Sequence, residues 1–247
     1  VFDRRIGEQV LNFGTTGLLR KSDLVMYDRQ TESWWQQFTG TAIVGEYNGT
    51  ELVQVSSSIV AYPDFVERYP EGKVLSRKTG HSRPYGRNPY RGYDRIGNIP
   101  FLLKDPVDDR LPAMERVIGI SLEDSHRIYP FSVFQDQPVI NDRFQKVSVV
   151  VFSKEGTLSA LDKGSIHSSR TIPSATAYQR ELEDQELNFE LRDGEIYDLE
   201  TGSKWNLFGE AIKGNLRGKK LTPIQGGVHF AFAWLAFRPD TDIYGPR

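Results

Sequence analysis

The chain has 247 residues, a formal net charge of −2 and 38% hydrophobic residues. That supplies enough apolar material for a core, gives no global field to attract nucleic acid or anionic membrane, and contains no run near the roughly 18 apolar residues of a membrane helix. Cysteine is absent, which excludes disulfides, thiolate zinc sites and cysteine nucleophiles within these residues.

In chain order, VFDRR at 1–5 reads like the interior of a strand, and no starting Met or signal peptide opens the chain. Residues preceding Val1 are therefore expected in the natural protein. YDRQTESWWQQFTG (27–40) places turn residues between two strands. GTAIVGEYNGTELVQV then predicts a strand, an Asn48-Gly49 type I′ hairpin turn and a second strand. Asn48-Gly49-Thr50 is also a formal glycosylation acceptor, which makes Asn48 a modification candidate beside its turn role.

Within 60–75, Pro63 suits a first helical turn and Pro70 and Gly72 a stop, so a short helix of about two turns is expected there. SRKTGHSRPYGRNPYRGYDRIGN (76–98) spaces Arg83, Arg87, Arg91 and Arg95 four apart, but Pro84, Gly86, Pro89 and Gly92 forbid a helix. The expectation is a long ordered loop with Tyr85, Tyr90 and Tyr93 between the arginines. Arg supplies bidentate donors and Tyr stacking faces, so Arg83, Tyr85, Arg87, Tyr90, Arg91 and Tyr93 are ligand-binding candidates for a polyanion or sugar. The plainer reading is a surface loop pinned by Arg–carboxylate and Arg–carbonyl bonds. Asp105, Asp108 and Asp109 crowd a Pro-containing loop that lacks EF-hand spacing.

RVIGISL (116–122) and HRIYPFSVF (126–134) predict paired strands around Glu123-Asp124-Ser125, and VSVVVF (147–152) a buried strand. YDLETGSKWNLFG (197–209) repeats the early Tyr-Asp stretch: Tyr27, Asp28, Thr31, Ser33 and Trp35 meet Tyr197, Asp198, Thr201, Ser203 and Trp205. Leu11-Asn12-Phe13 likewise echoes Leu187-Asn188-Phe189. This predicts an internal duplication with the two tryptophans as equivalent core anchors. Carried upstream, the register sets VFDRR near ALDKG (160–164) and predicts a matching strand before Val1. HFAFAWLAF (229–237) reads as one buried strand, bulky on the Phe230/Phe232/Trp234 side.

The fold class expected is mainly β: two sequence-related β units packed as one compact domain. Residues 1–59 form the first unit, 60–145 an inserted helix, loop and hairpin, and 146–247 the second unit. No Gly-x-Ser-x-Gly, P-loop or Gly-x-Gly-x-x-Gly motif occurs, and FGTTG (13–17) lacks the lysine of a phosphate loop. Of His81, His126, His167 and His229, none has close metal-ligand spacing. His229, opening the last strand, and His81, in the Arg/Tyr loop, are the metal candidates, each also readable as a hydrogen-bonded structural residue.

VFDRR, FGTTGLLRKSDLVMYDRQTESWWQQ, GKVLSRKTGHSRPYGRNPYRGYD and VHFAFAWLAFRPDTDIY together resemble the family catalogued as domain of unknown function 3179. The resemblance implies a bacterial or archaeal protein, often exported behind a signal peptide or lipoprotein anchor, with no established activity. It also implies a Cys-Pro-x-Cys-Gly segment just before the equivalent of Val1. Two functions follow as expectations. The first is an extracytoplasmic, non-enzymatic binding or scaffolding module for a protein or glycan partner. The second is a metal-binding or redox protein using His229, with His81, and a cysteine pair upstream. Neither involves nucleic acid.

Overall fold

Alternating apolar residues, punctuated by Gly and Asp, commit this chain to short strands. In the computed structural model, which describes residues 1–245, the strands are β1 (Arg5–Ile6), β2 (Gln9–Val10), β3 (Phe13–Arg20), β4 (Asp23–Asp28), β5 (Trp34–Gln36), β6 (Ala42–Val44), β7 (Arg116–Leu122), β8 (Ser125–Pro130), β9 (Val139–Phe144) and β10 (Val147–Leu158). They continue as β11 (Thr171–Gln179), β12 (Glu181–Leu182), β13 (Gln185–Glu186), β14 (Phe189–Arg192), β15 (Glu195–Asp198), β16 (Lys204–Trp205), β17 (Ala211–Lys213), β18 (Thr222–Pro223), β19 (Gly226–Phe230) and β20 (Asp242–Ile243). The helices are α1 (Tyr62–Arg68) and α2 (Ala231–Phe237). Contacts divide the chain into two units: Val1–Ser57, Ile99–Pro130 and Ile224 onward form the first, Ser58–Asn98 and Phe131–Pro223 the second. The middle segment is thus shared, its helix and Arg/Tyr loop going with the second unit and its hairpin with the first.

The first unit opens on the antiparallel meander β3-β4-β5-β6. Lys21 and Ser22 both take positive φ and close the β3–β4 hairpin as a two-residue turn. Leu11, Trp35, Ala42 and Leu52 form its buried core, with Phe13 meeting Trp35 edge to face at 5.6 Å. Trp35 Nε1 donates to Asp28 Oδ2 at 2.9 Å, and the buried Asp28 also accepts from the backbone and hydroxyl of Thr31. These bonds draw the Asp28 carboxyl below its ordinary value, although burial acts the other way.

The predicted Asn48-Gly49 turn is a longer loop. Of that pair only Gly49 has positive φ, +86°, so the type I′ geometry is absent. Gly45, at φ +100°, starts the reversal because Ser33 leaves no room for a Cβ there: it would fall 2.6 Å from the Ser33 hydroxyl. Asn48 lies exposed on this loop. The strand expected after it is reduced to bridges at Glu51 and Gln54.

The second sheet of this unit runs β19-β7-β8-β20, with β20 parallel to β8. The β7–β8 hairpin turns at Glu123-Asp124, as expected. The run 229–237, expected as one strand, is a strand only to Phe230 and a helix from Ala231. The buried residues Ala231, Phe232, Trp234 and Leu235 follow helical rather than alternating spacing. Ala231 and Phe232 donate their N–H groups to Glu115 and Ala113, which turns the chain off the sheet, and Pro239 ends the helix.

The second unit is built on β10, a twelve-residue strand in the sheet β18-β11-β10-β9. Val150, Phe152 and Tyr178 pack into a core with Leu187, Phe189, Ile196, Trp205 and Leu207 from the meander β14-β15-β16-β17. Helix α1 buries none of its residues. It is tethered by Asp64–Lys154, by Arg68–Glu210 and by Tyr69 against Phe208 at 5.7 Å. Burial alone would raise the Glu210 carboxyl, but hydrogen bonds from Arg68, Lys220 and Asn206 hold it near about 2 instead of 4.5. A carboxyl depressed in this way stabilises the fold above pH 4.5, and the contribution is lost as pH falls through about 2. Glu210→Gln is therefore expected to cost about 2 kcal/mol at neutral pH, the gap from wild type closing toward the acid limit. Urea denaturation across pH checks it.

The two meanders share a bond pattern. Asp198 accepts from Trp205 Nε1 at 2.9 Å and from Thr201, and Ser203 and Thr201 share a hydroxyl bond at 2.7 Å, as Ser33 and Thr31 do. Arg4 Nη1 donates to Leu11 O and Asn12 Oδ1, and Arg180 Nη1 to Leu187 O and Asn188 Oδ1.

Candidate functional site

The Arg/Tyr loop belongs to the second unit and runs beside residues 161–166. Two polar residues anchor it. Asn88 receives a bond from no arginine: its N–H donates to Gly164 O at 2.9 Å and its side chain to Lys163 O. Asp94, fully buried, accepts from Ser159 Oγ at 2.5 Å and pairs with Arg170 at 2.9 Å. Arg170 also pairs with Asp162 at 3.1 Å. The expected pinning by the loop's own arginines is thus replaced by Asn88 and Asp94. Arg83, Arg87, Arg91 and Arg95 are exposed, and among the described residues none has a carboxylate at ion-pair distance. Tyr85 is exposed with its hydroxyl on Thr79, and Tyr90 is 54% exposed. Tyr93 is half-buried, its ring 6.4 Å from that of Tyr90, and burial raises its hydroxyl pKa. His81 is exposed on the same loop.

His229 lies in the first unit, on β19. Its ring sits 5.0 Å from Phe38 and 5.3 Å from Trp234, with no hydrogen bond to any described residue. Trp234 gathers this corner. Gly119 on β7 makes room for it, since a Cβ there would fall 2.3 Å from its ring. Trp234 Nε1 donates to Thr241 Oγ1 at 3.0 Å. Arg238, capping α2, folds back over the same rings, 4.4 Å from the Trp234 centroid and 5.5 Å from Phe38. Its Nη1 donates to Ser121 Oγ at 2.7 Å, and Ser121 Oγ lies 3.0 Å from His126 Nδ1. The long β3–β4 hairpin reaches this corner too: Lys21 Nζ donates to Ala236 O at 2.5 Å, and Arg20 and Lys21 lie over the Phe237 ring.

The charges here are unbalanced. Burial, then the field of Arg238, pushes His229 down to about 4. Burial and Arg238 lower His126 as well, and burial lowers Arg238 itself. A guanidinium beside His229 opposes any added cation there. Among the described residues no three His, Cys, Asp or Glu side chains converge. Asp108 pairs with Arg110 at 2.7 Å. Sequence reasoning singled out His229 but missed Arg238, Ser121, His126 and Phe38. The available signal was an arginine set directly between an aromatic run and Pro239.

This is a mainly β protein whose polar chemistry gathers at a basic loop and at an aromatic, cation-rich corner. The chain belongs to the family described as "Protein of unknown function (DUF3179)", which it matches over residues 1–241. No curated protein and no solved structure matches it.

Proposed function

We propose that the chain is an extracytoplasmic, non-enzymatic binding module whose contact surface is the Arg83–Arg95 loop, and that its partner is an acidic glycan. One observation carries this reading: four arginines stand exposed without a carboxylate while other residues hold the backbone in place. A loop ordered by Asn88 and Asp94 presents these side chains with little backbone entropy to lose on binding. Tyr85 and Tyr90 between them offer faces for sugar rings, and guanidinium forks match carboxylate or sulfate groups. Export rests on the family resemblance.

Changing Arg83, Arg87 and Arg91 together to Ala is expected to weaken binding to an immobilised acidic polysaccharide such as heparin at least tenfold. It should also reduce the salt dependence of that binding by about three counterions. Unchanged affinity, or binding only to a protein partner with glycan binding absent, counts against the reading.

We also infer that the two meanders descend from one duplicated unit. Support comes from the shared Asp-Thr-Ser-Trp bonds, the shared Arg-Leu-Asn bonds and the common four-strand order.

A further inference from the structure

We propose that the Arg238–His229 corner of the first unit binds a small monocarboxylate, gripped by the free edge of Arg238 beside His229 and Phe38. This site is separate in residues and in chemistry from the Arg/Tyr loop of the second unit and does not depend on it.

The free edge is the first support. Arg238 commits Nη1 to Ser121. Its Nε and Nη2 have no partner among the described residues, and neither is sealed from solvent. Those two N–H groups form the planar fork that a carboxylate accepts with two parallel bonds. A half-buried guanidinium has lost part of its hydration, and among the described residues no carboxylate replaces it at ion-pair distance. Glu51 is the acidic residue whose field reaches it, and the Glu51 side chain is exposed.

The surroundings are the second support. His229 leans on the same two rings as Arg238, so the imidazole and guanidinium border one aromatic cluster in which Phe38 meets Trp234 edge to face. The His229 ring has no hydrogen-bond partner among the described residues, which leaves its nitrogens to a ligand. The charged groups named around this corner come from several elements. Arg20 and Lys21 come from the β3–β4 hairpin, and Asp23 from the same hairpin is taken up by Gln36 and the Phe38 N–H. His126 and Asp124 come from the β7–β8 hairpin. A single planar fork matches the two oxygens of a carboxylate, whereas a tetrahedral phosphate needs donors on several sides.

An anion held between Arg238 and His229 favours the imidazolium, so binding takes up a proton. The test is an NMR titration of the His229 Cε1–H in the full chain, across pH, with formate and separately with inorganic phosphate. The expected result is a saturable formate-dependent shift that raises the His229 midpoint from about 4 by about one unit, a tenfold coupling. Arg238→Lys keeps the charge but removes the fork, and is expected to weaken formate binding at least tenfold while His229 remains depressed without formate. The Arg83/Arg87/Arg91 alanine variant should bind formate as the wild type does. No saturable shift in the wild type overturns the proposal, and so does equal affinity in Arg238→Lys or tighter binding of phosphate than of formate.

Discussion

Trp35→Ala is expected to lower the unfolding free energy by about 4 kcal/mol, the range for removing a large buried aromatic side chain. Trp35 is fully buried, packs edge to face on Phe13 and holds the buried Asp28 through Nε1. Alanine leaves a cavity and also strips a donor from the buried Asp28 carboxylate, which keeps the bonds from Thr31. Trp35→Phe separates the two effects: it keeps most of the packing and loses the bond, which should cost about 2 kcal/mol. Because Trp205 stands in the same relation to Phe189 and Asp198, its replacement should give matching losses. Urea denaturation followed by circular dichroism measures all three. A Trp35→Ala loss below about 1 kcal/mol would show that the aspartate network does not depend on the indole.

The second large effect is expected at Gly119. A methyl group there falls 2.3 Å from the Trp234 ring, and the strand cannot retreat because β7 is hydrogen-bonded on both sides, to β8 and β19. Overpacking of this kind costs about 3 kcal/mol. Its signature goes beyond stability. With Trp234 displaced, the stack under Arg238 and His229 opens, water returns, and the His229 midpoint should climb from about 4 toward 6.5. A Gly119→Ala protein with wild-type stability and an unchanged His229 titration would refute the packing described.

Much of the fold can be read from the residues because the same chemistry is written twice. Asp, Thr, Ser and Trp recur at one spacing because the side-chain bonds that close the β4–β5 and β15–β16 turns demand those types. Helix α1 is equally readable, since proline and glycine mark its ends. Helix α2 is not: aromatic residues at alternate positions satisfy a strand period and a helical one, and the bonds to Glu115 and Ala113 that decide between them are remote in sequence. The candidate sites divide in the same way. The Arg/Tyr loop announces itself by composition. The corner around Arg238 draws on Phe38, Ser121, His126, His229 and Trp234, brought together only by the sheet β19-β7-β8 and the reach of a hairpin.

The division of the chain carries a consequence for how the protein comes into being. The first unit takes its strands from the beginning, the middle and the end of the chain, while the second is complete once Pro223 has been made. On the ribosome, the later unit in sequence can therefore finish folding before the earlier one. The sheet β19-β7-β8-β20 must wait for its two outer strands, and until then the edge of β7 that β19 will cover has no partner. The edge of β8 that β20 covers waits longer still, so a nascent chain stalled near residue 224 exposes both edges to chaperones and to aggregation.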